Sequence, residues 1–242
     1  MIDWLGLAVL LVVGLGAACQ VFAGVGFALV CAPLLILVLG REQGIRVVLV
    51  MAILLNAYVL LRSFRHVRVA DTLRMLAAAL VVIPPTFLFA GAVRGPVLTL
   101  AAGAVIVAAT VIVAVGRPMP FFDGTRGVLT AGAASGVFNV LAAASGPPIT
   151  LLAAQRRWSP SVARGTQQLF GLPLNIVTLS ILGPSAGDYS DLGWAAAGLV
   201  IGTIVASVTV HRAPEGVVRP VTLSLAGAGG AVLLVTGAAA LV

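Results

Sequence analysis

The groups in this chain best placed for chemistry are backbone groups freed by a break. Ser145-Gly146-Pro147-Pro148 interrupts an apolar run in which a membrane helix would otherwise continue. Proline has no N–H to donate and clashes with the preceding turn, so the helix ends or kinks there, and lipid cannot satisfy the freed carbonyls. A new half-helix then begins, from Ile149 onward, with its N-terminus near Ser145 and Gly146 and with Pro148 suited to its first turn. The unpaired N–H groups and dipole of such an end attract an anion without any cationic side chain. About 120 residues earlier, Ala23-Gly24-Val25-Gly26 interrupts another apolar run and sets Phe27 and Ala28 at the equivalent start. Paired interruptions in two halves of a membrane chain point to a transporter's substrate site. The other reading of both breaks is a packing kink closed by neighbouring helices.

Polar side chains near the breaks suit the same chemistry. In the run Arg164-Gly165-Thr166-Gln167-Gln168, Arg164, Gln167 and Gln168 stand three or four residues apart and share a helix face. That face offers a guanidinium and amide donors to an oxyanion; alternatively, Arg164 reaches to the headgroups beside Arg156 and Arg157. Ser135, Asn139 and Gly146 recur at whole helical turns, as either a pore-lining stripe or a packing seam would. Asn56 and Asn175 fall mid-segment at nearly equivalent positions of the two halves, and Gln20 stands at the tip of the first break. Taken singly, each amide is as well suited to gluing helices together. The expected substrate-binding set is Gln20, Gly24, Gly26, Asn139, Ser145, Gly146, Arg164 and Gln168.

Other chemistries find little in the sequence. Cys19 and Cys31 lie in apolar segments without metal-ligand spacing, and His66 and His211 fall in separate basic loops. Gly14-Leu15-Gly16 is a helix-packing pattern, and no nucleophile and base stand in a plausible relation. The expectation is a protein that is not an enzyme and carries no cofactor or metal.

A membrane scaffold must position these residues. Of the 242 residues 61% are hydrophobic and 9% charged, and the mean hydropathy is +1.18, values that require an integral, polytopic membrane protein. Asp3 precedes the first apolar segment with no positive n-region, so that segment is expected to stay in the membrane. All 14 basic side chains are Arg, which suggests a GC-rich bacterial genome, and they are dispersed over short loops, a pattern of topology and not of nucleic-acid binding. Apolar stretches run over 4–22, 25–40, 45–61, 75–91, 97–115, 127–144, 147–155, 161–182, 192–209 and 221–241. The short ones flank the breaks, so 4–40 and 127–155 are expected to be helical hairpins.

The Arg pattern orients the chain. Arg62, Arg65, Arg68 and Arg74 mark a cytoplasmic loop, and counting spans from it puts Arg117, Arg126, Arg156, Arg157, Arg212 and Arg219 on the same side. Arg41, Arg46, Arg94, Asp188, Asp191 and both termini then lie outside. The expected fold is an all-α polytopic membrane protein of two inverted repeats, residues 1–122 and 123–242. Each is a broken-helix hairpin plus three transmembrane helices, together a single membrane domain of about 8 to 10 helical segments.

At the quoted glycine motifs the chain resembles the sulfite exporter TauE/SafE-like family of bacterial membrane proteins. The matching elements run from Gly14 through Gly24 and Gly26 to Pro33, and from Gly132-Ala133-Ala134-Ser135-Gly136 to Ser145-Gly146-Pro147-Pro148. Arg164-Gly165-Thr166 is similar to the family's Arg-Ala-Thr, whereas Phe27 and Ser145 stand where glycine is common. The resemblance covers essentially the whole chain and implies transport of a small sulfur-containing or organic anion such as sulfite, thiosulfate, sulfoacetate or another sulfonate.

The expected function is therefore secondary transport of such an anion by alternating access in the bacterial inner membrane. A negative interior drives an anion outward by ~2.3 kcal/mol per charge per 100 mV, so export needs no coupling ion. Uptake would need one, with Glu42 the acidic residue nearest to that task. The alternative is a non-transporting membrane scaffold, in which the breaks matter only for folding. The expected partners are the anion and membrane lipid, not nucleic acid, with a homodimer left open.

Overall fold

The computed structural model of the chain describes residues 3–23, 26–116, 123–183, 190–209 and 215–241. Among the described residues are ten α-helices, one 3-10 turn (Phe64–His66) and no strand. The helices are α1 (Trp4–Ala23), α2 (Phe27–Leu39), α3 (Arg41–Ser63), α4 (Val69–Ala92), α5 (Gly95–Val115), α6 (Gly124–Ala142), α7 (Gly146–Gln155), α8 (Pro160–Leu182), α9 (Ser190–Thr209) and α10 (Glu215–Ala239). Spans within α1, α3, α4, α5, α9 and α10 are long and apolar enough to cross a membrane. This is a multi-pass membrane protein, in which a helix satisfies its own backbone where lipid cannot.

The two interruptions fall where Gly and Pro place them. α2 starts at Phe27, and α7 starts at Gly146, so that Pro147 and Pro148 sit in its first turn, where proline's fixed φ is compatible with a helix. α2 has 13 residues and α7 has 10. At 1.5 Å per residue these reach about 20 and 15 Å, short of the ~30 Å hydrocarbon core. Each is the short arm of a hairpin whose long arm is α1 or α6.

The hairpins are rooted at opposite ends of the bundle. At the root of α6–α7, the Gln155 side-chain amide donates to Asp123 Oδ1 at 2.6 Å and Arg156 donates to the Gly124 carbonyl at 2.6 Å. That end also holds Arg62, Arg65 and Arg68, because the Arg68 N–H donates to Thr166 Oγ1 at 3.1 Å, early in α8. α2 ends at the other face, where it turns at Gly40 into α3. There Arg46 of α3 donates to the Gly183 carbonyl that closes α8, and it also pairs with Glu42. α1 starts beside the start of α9, with Gly6 against Trp194, so its root lies at that face too.

Small residues let the helices approach. α3 and α8 form an antiparallel centre, and a Cβ on Gly165 would come within 2.8 Å of the Ser63 carbonyl. α1 packs along α9, α4 along α6 and α5 along α10. A Cβ on Gly132 would meet the Met75 backbone, and one on Gly198 the Leu10 backbone. Such close approach is the main source of helix adhesion where lipid removes the hydrophobic drive. The outward faces carry large apolar side chains such as Leu61 and Leu88.

Candidate functional site

The two hairpin tips meet at a cavity of about 50 Å³, lined by Gln20 and Gly26 from the first and by Ser145 and Gly146 from the second. α3 adds Asn56, and α8 adds Gln167, Gly171 and Asn175, one turn apart on one face. Among the described residues, no charged side chain lines it. The volume exceeds the roughly 10–15 Å³ that one water requires, so a small polyatomic ion fits more readily than a large organic one.

Local sequence explains the shape of each tip. Gly26 holds φ 133, a backbone region nearly closed to other residues, and its carbonyl accepts from Val30 N–H at 2.9 Å to start α2. The Phe27 N–H donates to Gln20 Oε1 at 3.1 Å, leaving the Ala28 and Leu29 N–H groups as the first-turn donors without an intrahelical acceptor. In the second tip, Ala143 closes α6 in the left-handed region at φ 52, its N–H donating to the Asn139 carbonyl at 2.8 Å. Ser145 precedes α7 without capping it by its side chain.

The two tips are not chemically equal. Pro147 and Pro148 remove two of the N–H donors that a first turn normally presents, so α7 offers the Gly146 N–H and its dipole but little more. The side-chain amides make up the difference. Asn175 is 3% exposed and its Oδ1, an acceptor, has no partner, an arrangement that costs free energy unless a guest with an O–H, such as water or a protonated oxyanion, completes it. Gly171 leaves room for a second amide, since a Cβ there would lie 2.8 Å from Asn56 Nδ2.

Four of the residues expected from sequence, Gln20, Gly26, Ser145 and Gly146, come together here. Gly24 lies outside the described residues. Asn139 is buried but donates to Thr178 Oγ1 at 2.9 Å and does not line the cavity. Gln168 is buried on another face of α8, its neighbour Gln167 reaching the cavity instead. Arg164 is exposed and lines a separate cavity near the root of the second hairpin. Gln167, Thr150 and the Asn56/Asn175 pair are the polar lining residues absent from the expected set. The equivalent mid-segment positions of the two asparagines were the signal for that pair, and the i, i+4, i+8 spacing of Gln167, Gly171 and Asn175 was the signal for Gln167.

One acidic residue anchors the second hairpin. Asp71, 3% exposed at the start of α4, accepts from Arg68 Nε at 2.7 Å and from Arg156 at 3.3 Å, and Arg74 lies 3.5 Å away. Arg68 also stands over the Trp158 ring at 5.5 Å. The α7–α8 connection is thereby fastened to α4.

The model of the sulfite exporter TauE/SafE family matches residues 8–237. The chain belongs to that family. No curated protein and no solved structure matches it. Membership in the TauE/SafE family agrees with the apolar multi-helix architecture. The match spans both hairpins, so both halves of the cavity fall within the TauE/SafE region.

Proposed function

We propose that this protein carries a small sulfur oxyanion of the sulfite class across the bacterial inner membrane, binding it in the cavity between the two hairpin tips. The observation that carries this reading is the meeting of two helix starts, from hairpins rooted at opposite ends, in one polar cavity without charged side chains. An oxyanion there takes hydrogen bonds from the Ala28, Leu29 and Gly146 N–H groups and from the amides of Asn56, Gln167 and Asn175. Dipolar donors hold it without the tight grip of a fixed cation, which suits a site that must release its cargo.

Alternating access follows if the halves behave as inverted repeats. Exchanging α1–α5 for α6–α10 turns the α1–α9 contact into α6–α4, α2–α3 into α7–α8 and α2–α10 into α7–α5, and all of these contacts occur. The α3–α8 and α5–α10 contacts map onto themselves. Such a pseudo-twofold arrangement lets one hairpin open as the other closes. With the Arg-rich end in the cytoplasm and both termini outside, the membrane potential favours export.

The test is flux of labelled sulfite, thiosulfate and a sulfonate in proteoliposomes under an imposed potential. Saturable sulfite flux that Gly146→Leu abolishes in folded protein supports the reading. If none of the three anions moves, or if Gly146→Leu leaves flux intact, the central site is not the transport site.

A further inference from the structure

A second cavity, of about 150 Å³, opens near the Arg-rich end and is lined by Gln20, Tyr58, Arg62, Ser63, Arg164 and Ser207, with flanking valines. Gln20 is the residue that lines both this space and the central cavity, so the two lie on either side of one side chain. Arg62 and Arg164 come from the antiparallel α3 and α8, and among the described residues neither has a carboxylate partner. This is unlike Arg68, Arg74 and Arg156 at the same end, which all gather on Asp71. Arg62 is held by stacking 4.7 Å over the Tyr58 ring, a contact that fixes the plane of the guanidinium and leaves its N–H fork free. The Ser63 hydroxyl donates to the Val59 carbonyl at 2.8 Å, which keeps its oxygen turned into its own helix.

We infer that Arg62 and Arg164 form an oxyanion-loading station, distinct from the central cavity, from which the anion passes Gln20 to reach the hairpin tips. The inference rests on the reading of the central cavity as an anion site, and it adds a second, chemically different stop. Paired guanidiniums in a water-filled mouth raise the local anion concentration and grip an oxyanion through forked hydrogen bonds. Their hold weakens as salt rises, because the site is open to solvent. The central cavity has no charge to screen, so its affinity is nearly independent of salt. Division of labour follows: a charged station collects the anion, and an uncharged one hands it across. The same two arginines would also suit the phosphate of an anionic lipid headgroup, a source that the experiment separates from a free anion.

The experiment is equilibrium binding of labelled sulfite to the purified full-length protein in detergent, at low and high ionic strength. Two components are expected: a salt-insensitive one lost in Gly146→Leu, and a salt-sensitive one lost in Arg62→Gln/Arg164→Gln. The double variant should weaken low-salt binding of the second component about tenfold or more, and Arg62→Lys/Arg164→Lys should restore part of it. Binding whose salt dependence is the same in wild type and the double glutamine variant overturns the loading station. A salt-sensitive component without any Gly146→Leu-sensitive one keeps the station and sinks the central site instead. If phosphatidylglycerol co-purifies with wild type but not with the double variant, and sulfite does not displace it, the occupant is a headgroup and the proposal fails.

Discussion

The backbone N–H of Phe27 donates to the side-chain Oε1 of Gln20 across 3.1 Å, tying the first residue of α2 to the last turn of α1. A neutral amide oxygen at this point caps the helix start without filling it with charge. Gln20→Glu puts a resident carboxylate beside the remaining first-turn donors and in both cavities. Sulfite affinity is expected to fall more than tenfold, ~1.4 kcal/mol or beyond, while Gln20→Ala costs about 1 kcal/mol of stability through the lost hydrogen bond. Sulfite binding and thermal melting of the two variants, measured side by side, check the sign of each effect. Equal affinity in wild type and Gln20→Glu would remove Gln20 from the anion's path.

Asn175 and Asn139 are both buried amides, and the structure assigns them different work. Each carries an Oδ1 without a hydrogen-bond partner, but the Asn139 side-chain amide donates to Thr178 Oγ1 and does not line the central cavity, whereas Asn175 lines it. Asn175→Leu is expected to leave stability within about 1 kcal/mol, since an unpaired polar atom is removed with its desolvation cost, and to abolish sulfite flux. Asn139→Leu should destabilise by about 1–2 kcal/mol, because it strands Thr178, with sulfite affinity kept in the folded fraction. Loss of affinity in Asn139→Leu with retained affinity in Asn175→Leu would reverse the assignment.

Gly132 sits where α6 touches α4 at the Met75 backbone, whereas a Cβ built on Gly91 near the end of α4 would meet nothing within 4 Å beyond its own stretch of helix. Gly132→Val must push two packed helices apart, at a cost of about 1–3 kcal/mol or more. Gly91→Ala relieves backbone entropy in a helix and should stabilise by up to about 1 kcal/mol. Melting temperatures in one detergent provide the comparison, and a neutral Gly132→Val would mean the α4–α6 seam is looser than its geometry.

Asp71 holds Arg156 and Arg68 against α4. Asp71→Asn removes the charge that these half-buried or exposed guanidiniums share, with an expected cost on the order of 1–3 kcal/mol. Hydrogen exchange should rise first in residues 153–158, at the α7–α8 connection. Unchanged protection there would show that the hairpin root is held by the Gln155 and Gly124 contacts alone.

Helix number and the two breaks were legible in the chain because they rest on local rules. Apolar length sets a span, Gly146-Pro147-Pro148 stops a helix, and Gly26 permits a φ that other residues resist. The ten described helices accordingly start and end within about four residues of the apolar stretches, except that α4 and α10 each start six residues earlier, and α7 begins slightly earlier than expected because its prolines fit the first turn. That Gln20, Gly26, Ser145 and Gly146 line one cavity follows from the same breaks, which end the helices where the two hairpin tips meet.

Which other polar residues face that site was not a local question. Arg164, Gln167 and Gln168 share a broad helix face in sequence, yet a rotation of one residue sends Gln167 to the central cavity and Gln168 into the buried packing. Arg164, lower on α8, joins Arg62 across the α3–α8 contact. Asn139 and Asn175 are indistinguishable as buried amides until Thr178 claims one of them. The chain by itself determined the elements and their interruptions. Only the tertiary structure decided which amides are bonded and which are left open, because that depends on the rotation and height of each helix against neighbours distant in sequence.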